Sequence, residues 1–158
     1  MTDAPRIVSA ERVVAASPPT IFELIADPSQ QPRWDGNDNL AEAAPGQRVH
    51  AVGDVFVMTN VGDRVRENRV VEFVEGQRIA WLPSPVGETP PGHLWRWELE
   101  TTSGGTLVRH TYDWTGLTDE RRFARAQANT VEGLSASIVR LAELAEQIEA
   151  GQAAPSQQ

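Results

Sequence analysis

Cysteine is absent from the 158 residues, which excludes disulfides, thiolate metal sites and a cysteine nucleophile. Lysine is absent too. All 14 basic residues are arginine, a bias that reads as genome composition rather than chemistry. Positive charge is scarce overall, and the formal net charge of −8 argues against a nucleic-acid partner or an anionic membrane surface. No apolar run approaches the ~20 residues of a membrane-spanning helix, and Met1–Glu11 has no apolar signal-peptide core. These absences predict a soluble, cytoplasmic protein. The three histidines, His50, His93 and His110, stand far apart without paired ligand spacing, so no metal site is expected. Asp35-Gly36-Asn37-Asp38-Asn39 begins like a calcium loop, but Leu40 stands where glycine is needed and Gly46 where glutamate is needed. There is no glycine-rich phosphate loop, and Gly133-Leu134-Ser135-Ala136-Ser137 does not match the nucleophile elbow. No cofactor is expected.

What is present fits one domain, residues 1–150, with a disordered tail at 151–158. The longest helical signal comes last, from Thr118 to Ala150. Phe123, Val131, Leu134, Ile138, Leu141, Ala145 and Ile148 form its apolar stripe, and Arg121, Arg125, Glu132, Arg140, Glu143 and Glu146 its polar face. Thr118 is a candidate N-cap and Gly151 a candidate stop. Such a helix would be roughly 45–50 Å long and needs a broad apolar surface to lie on. Everything before it reads as strands, apart from a helical elbow. Residues 6–15 are the first strand. Ser17 caps a helix through Pro18-Pro19, buried at Ile21, Phe22, Leu24 and Ile25 and ended by Asp27-Pro28. Gln30–Trp34 is a second short helical turn. Strands follow at Leu40–Ala44, Gly53–Thr59, Arg64–Val74, Arg78–Leu82, Leu94–Thr101 and Thr106–Thr115. Pro83–Gly92 reads as a loop and Ser103-Gly104-Gly105 as a hairpin turn.

Several phrases carry a family resemblance: Val13-Val14-Ala15-Ala16-Ser17-Pro18-Pro19-Thr20-Ile21-Phe22, Asp27-Pro28 with Pro32-Arg33-Trp34, and Val70-Val71-Glu72-Phe73 leading to Arg78-Ile79-Ala80-Trp81. The last is His110-Thr111-Tyr112-Asp113-Trp114. With the element order, they resemble the START-like, or SRPBCC, superfamily with its helix-grip, birch-pollen-allergen-like fold, and within it the polyketide cyclase/dehydrase group. The resemblance spans about residues 6–150. It implies an α+β fold: a seven-stranded curved antiparallel sheet around a long C-terminal helix, two short helices between strands 1 and 2, and an apolar cavity between sheet and helix. It does not specify chemistry, because the superfamily includes cyclases, lipid carriers, hormone binders and co-chaperones.

Alternation in the last strand puts Val108, His110, Tyr112 and Trp114 on one face, and in the strand before it Trp95, Trp97 and Leu99. His110 and Tyr112 are therefore candidate catalytic groups, polar tips in an aromatic wall; the alternative is that both are hydrogen-bonded core residues. The strand 64–74 reads either as a solvated, edge-like strand with a mixed-charge face or as a cavity wall with two possible phases. With Val71 and Phe73 inward, Glu67 becomes a third catalytic candidate and Arg69 a ligand contact; a bulge would instead turn Arg66 and Asn68 inward. Trp34, Met58, Trp81, Trp95, Trp97, Trp114, Phe123 and Leu134 complete the candidate ligand-binding set. Small residues around Gly133 and Ser135–Ser137 either leave room for a ligand or let the sheet approach.

Three functions remain. The first is binding of a small hydrophobic molecule of lipid, polyketide or aromatic type, with no turnover. The second resembles the polyketide cyclases, with aldol cyclisation and dehydration run by substrate orientation and one proton shuttle. The third and weaker is a protein-interaction module resembling the Hsp90 co-chaperone branch. The chain is expected to be a monomer or weak homodimer.

Overall fold

A computed structural model describes residues 5–36 and 39–153. The strands are β1 (Ile7–Val14), β2 (Leu40–Glu42), β3 (Val55–Asn60), β4 (Arg64–Val74), β5 (Arg78–Pro85), β6 (Leu94–Thr102) and β7 (Gly105–Asp113). They form one antiparallel sheet in the order β1-β7-β6-β5-β4-β3-β2. After the β1 crossover every neighbour is joined by a hairpin or loop, so the sheet is a meander with β1 laid against its last strand. Between β1 and β2 lie helix α1 (Pro18–Ala26) and a 3-10 turn over Pro28–Arg33. The sheet curves around the C-terminal helix α3 (Val131–Ala153), as expected for the helix-grip fold.

α3 docks through Leu134, Ile138, Leu141, Ala142 and Ala145, all essentially inaccessible to water. It packs on β1, β7 and α1. Its end is also tied to α1. Ser17 occupies the cap position of α1, but its hydroxyl donates to Glu149 Oε2 at 2.6 Å instead of capping its own helix. The Ser17 amide donates to the same oxygen at 2.7 Å. These bonds hold the Glu149 carboxyl below its usual range.

The expected helix from Thr118 to Ala150 is in fact interrupted. A 3-10 turn at Glu120–Arg122, begun by Asp119 rather than Thr118, runs into the short helix α2 (Phe123–Gln127). The chain then breaks, and α3 starts afresh with the Thr130 hydroxyl accepting from the Gly133 amide at 3.1 Å. The apolar stripe is continuous through the break, so periodicity alone does not show it; the capping hydroxyl of Thr130 does. At its other end α3 continues through Gly151 to Ala153, so that glycine is not a stop. The 23 residues of α3 span about 35 Å. The remaining tail, residues 154–158, lies outside the described residues.

A second departure is in β5, which continues through Pro83 to Pro85 where a loop is expected. The prolines are tolerated because β6 pairs only with Arg78–Trp81, so β5 has β4 alone as a neighbour beyond that point.

Candidate functional site

A cavity of about 460 Å³ lies between the inner face of the sheet and the elements that cap it, within the ~300–1,000 Å³ range of small-molecule sites. Its floor comes from four adjacent strands. β3 supplies Phe56 and Met58, β5 Trp81 and Pro83, β6 Trp95 and Trp97, and β7 His110 and Tyr112. Phe56, Met58 and Trp97 are almost fully buried. The exposed Arg64, Arg125 and Ala128 mark the mouth.

β4 resolves its two phases by using both. Val70 pairs with Trp81 and Glu72 with Ala80, so Val71 is the extra residue of a β-bulge. Beyond the bulge Phe73 faces inward, its ring 5.7 Å from that of Phe22. Before it Val70, Asn68 and Arg66 do, and the last two line the cavity. Glu67 and Arg69 are thereby turned away from the cavity, contrary to the expectation that placed them in it. Glu67 accepts from the Gly87 amide at 2.8 Å, and Arg69 is exposed. On the same outer face beyond the bulge, Glu72 accepts two bonds from Arg96, at 2.9 and 2.6 Å, which hold its carboxyl below the usual range.

Of the remaining expected residues, Trp34, Met58, Trp81, Trp95, Trp97, His110 and Tyr112 line the cavity together. Trp114, Phe123 and Leu134 are not among its walls. Trp114 and Phe123 pack against each other with ring centroids 5.3 Å apart and 58° between planes, with the Arg6 guanidinium over both rings. Leu134 is spent on docking α3. Trp34 has a structural task as well: its indole N–H donates to the Leu24 carbonyl at 2.8 Å, and Gln31 donates to that of Ile25 at 2.9 Å. Two orphan carbonyls at the end of α1 are satisfied this way. The Trp34 ring then meets Trp97 edge-on at 5.1 Å.

His110 is clamped between indoles. Its ring lies 3.7 Å from Trp97 with 12° between planes, and 5.4 Å from Trp95. Nδ1 is 3.2 Å from the Arg96 carbonyl oxygen. Burial pushes its pKa down to about 3, against the smaller opposing effect of that bond. The ring is thereby held neutral at pH 7 and offers a hydrogen-bonding group. Tyr112 tilts against Trp95 at 4.4 Å, and burial raises its hydroxyl to about 12 even though the Asn129 side chain bonds to it. Asn129 sits in the break between α2 and α3, where its Nδ2 also donates to the Arg125 carbonyl at 3.3 Å.

The small residues of α3 admit a loop. The Gly36 amide donates to Ser137 Oγ at 2.8 Å, and a Cβ at Gly36 would overlap the Ala136–Ser137 backbone. The Arg140 guanidinium donates to the Asp35 carbonyl at 2.8 Å. Asp35 in turn accepts from the Asn39 and Leu40 amides. Of the segment that begins like a calcium loop, Asn37 and Asp38 lie outside the described residues. Among the described residues no cluster of His, Asp or Glu could hold a metal.

Residues not singled out in the sequence complete the cavity: Asn60, His93, Arg122, Arg125 and Asn129. His93, Arg122, Arg125 and Asn129 come from a loop, a 3-10 turn, the short α2 and the helix break, where no alternation marks an inward face, whereas Asn60 ends β3 in phase with Phe56 and Met58. Asn60 Oδ1 and Trp97 Nε1 are buried without a hydrogen-bond partner in the protein.

A curved seven-stranded sheet gripping a C-terminal helix over an aromatic cavity defines a helix-grip protein of the SRPBCC type. Residues 5–148 match the family described as polyketide cyclase / dehydrase and lipid transport, and the chain belongs to that family. No curated protein matches the sequence. Solved structures share the fold at low identity. Protein NE0264 from Nitrosomonas europaea is 19% identical with a TM-score of 0.69, over 94% of this chain and 99% of that one. The Aha1 dimer from Colwellia psychrerythraea is 19% identical with a TM-score of 0.56, over 92% and 97%. DynU16, a protein of the dynemicin biosynthetic locus, is 20% identical with a TM-score of 0.61, over 93% of this chain and 48% of that one.

Proposed function

We propose that the protein binds a small hydrophobic molecule, of lipid, polyketide or aromatic type, in the cavity. The observation that carries this reading is the cavity of about 460 Å³, floored by Phe56, Met58, Trp81, Trp95 and Trp97 and edged by polar side chains such as Asn68 and Asn129. An apolar wall with a few polar groups suits a ligand with its own hydroxyl or carbonyl.

Cyclase activity is the second reading, favoured by the family to which the chain belongs. His110 and Tyr112 stand side by side across from Trp97 and Trp95 and would orient a ketone. Enolisation needs a base, however, and burial holds the two groups far on either side of neutral pH. Binding without turnover is therefore preferred. The interaction-module reading has less support. Val55, Val57 and Val65 are exposed on the outer sheet face, but Glu67 and Arg69 interleave them.

The test is titration with N-phenylnaphthylamine, a neutral fluorescent apolar probe. Wild type should bind it with micromolar affinity. Leu40→Trp, at a partly exposed lining position on the short strand β2, should fill the cavity and weaken binding at least tenfold while the protein stays folded. Equal binding by a folded Leu40→Trp variant would place the probe elsewhere and defeat the proposal. Product formation from a poly-ketone substrate, lost in His110→Gln, would establish the cyclase reading instead.

A further inference from the structure

We infer that the bound molecule is an amphipathic anion, whose carboxylate or phosphate is received at the cavity mouth by Arg64, Arg66, Arg122 and Arg125. This rests on the binding role proposed above and adds the charge of the ligand.

The chain is acidic, with a formal charge of −8. Away from the mouth Arg48 bridges Glu23 and Glu75, Arg96 meets Glu72, and Arg109 meets Glu11, while the outward Arg12 and Arg69 form no ion pair among the described residues. The mouth is set apart because four arginines converge there. Arg64 and Arg66 arrive from β4, Arg122 and Arg125 from the turn and α2, and all four line the cavity. Among the described residues, Arg64, Arg66 and Arg125 form no ion pair, and Arg122 has only a 3.6 Å contact with Asp119, which Arg121 holds more closely. Glu88 is the acid whose charge acts on Arg66, and it lies on the exposed loop after β5. Burial, then the charges of Arg125, Arg64 and Arg122, pull the Arg66 guanidinium below its ordinary value. Burial and three of the same arginines push the neighbouring His93 down to about 4. Cations gathered against one another repel, and an anion seated between them relieves that repulsion. Guanidinium forks match the paired oxygens of a carboxylate or phosphate. The aromatic floor beyond them takes the apolar remainder.

The β4 bulge and the helix break jointly build this arrangement. The bulge turns Arg66 inward, and the 3-10 turn with α2, set off from α3, brings Arg122 and Arg125 over the mouth.

The experiment compares two probes with one apolar body: N-phenylnaphthylamine, which is neutral, and anilinonaphthalene sulfonate, its anionic sulfonated analogue. At low salt wild type should prefer the anion by about tenfold or more, the scale of one charge-assisted bond. Molar salt should shrink that preference. Arg66→Gln, and separately the exposed Arg125→Gln, should each reduce the preference, while Arg109→Gln, on the outer face, should keep it. Displacement of the neutral probe by decanoate and by decyl phosphate then tells which anion is favoured, with decanol as the uncharged comparison. If the neutral probe binds and the anion binds no better, or if both cavity variants keep the preference, the anionic subsite falls and the apolar binding role stands. If neither probe binds, both fall.

Discussion

His110 illustrates how burial decides the chemistry of a single ring. Its pKa is about 3 and that of His93 about 4, both depressed from the ordinary 6.5. Below pH 6.5 the unfolded chain takes up protons that the folded rings refuse. Stability is therefore full above that pH and is lost progressively as pH falls toward the folded values, by up to about 1.4 kcal/mol per pH unit for each ring. Urea titrations at neutral pH and at about pH 5 check this. Wild type should lose more stability than His110→Gln on acidification; equal losses would mean that the folded ring charges. Tyr112 is the one tyrosine of the chain, so ultraviolet titration reads it without assignment. Its tyrosinate band should appear near pH 12 rather than 10, and Asn129→Ala should move it higher, because the Asn129 bond lowers it. At this scale the sequence was informative where alternation applies: His110, Tyr112, Trp95 and Trp97 are adjacent on one face, as their spacing implies. Asn60 continues the alternation of Phe56 and Met58, but His93, Arg122, Arg125 and Asn129 were not legible, since they meet through a loop, a 3-10 turn, α2 and the break after it.

Elements were legible where a pattern has one cause. The paired strands β6 and β7 alternate cleanly, and their hairpin falls at the expected glycines. The break at Ala128–Thr130 was hidden because the buried stripe on either side keeps helical spacing. Asn129 and Thr130 are the local signal for it, two side chains that bond backbone and end or start helices. Thr130→Ala should destabilise the protein by about 0.5–2 kcal/mol through loss of the cap, read as a lower urea midpoint. No change would mean that α3 begins without it. Trp34→Phe keeps most of the ring but removes the donor to Leu24, leaving a buried carbonyl unpaired. It should cost about 1–3 kcal/mol, whereas a purely steric role would make the change nearly neutral in the same melt.

At the scale of the molecule, α3 closes the sheet by burying a row of side chains against β1, β7 and α1. Leu134→Ala should cost about 2–5 kcal/mol, and Leu134→Asp should leave no cooperative melt by circular dichroism, because it buries a charge where a leucine packs. An aspartate variant melting within a degree or two of wild type would mean that the helix is not docked. The architecture as a whole was legible because element order, strand alternation and the terminal amphipathic stripe agree with one another. The inward phase of β4 was not, because alternation gives two answers and only the bulge chooses between them.

That bulge makes cavity chemistry a matter of parity. Val71 is one residue of chain length, and faces alternate with a period of two. Phe73 is held against Phe22 and Val70 already pairs with Trp81, so removal of Val71 would leave a regular ladder with Val70, Asn68 and Arg66 still facing inward. With Val71 kept but drawn into regular alternation from Phe73, Val65, Glu67 and Arg69 would face inward instead, and Arg66 and Asn68 outward. The lining would then present a carboxylate and a guanidinium in place of a guanidinium and an amide. A single-codon deletion at the bulge therefore conserves the ligand preference, whereas straightening the full-length strand would exchange it.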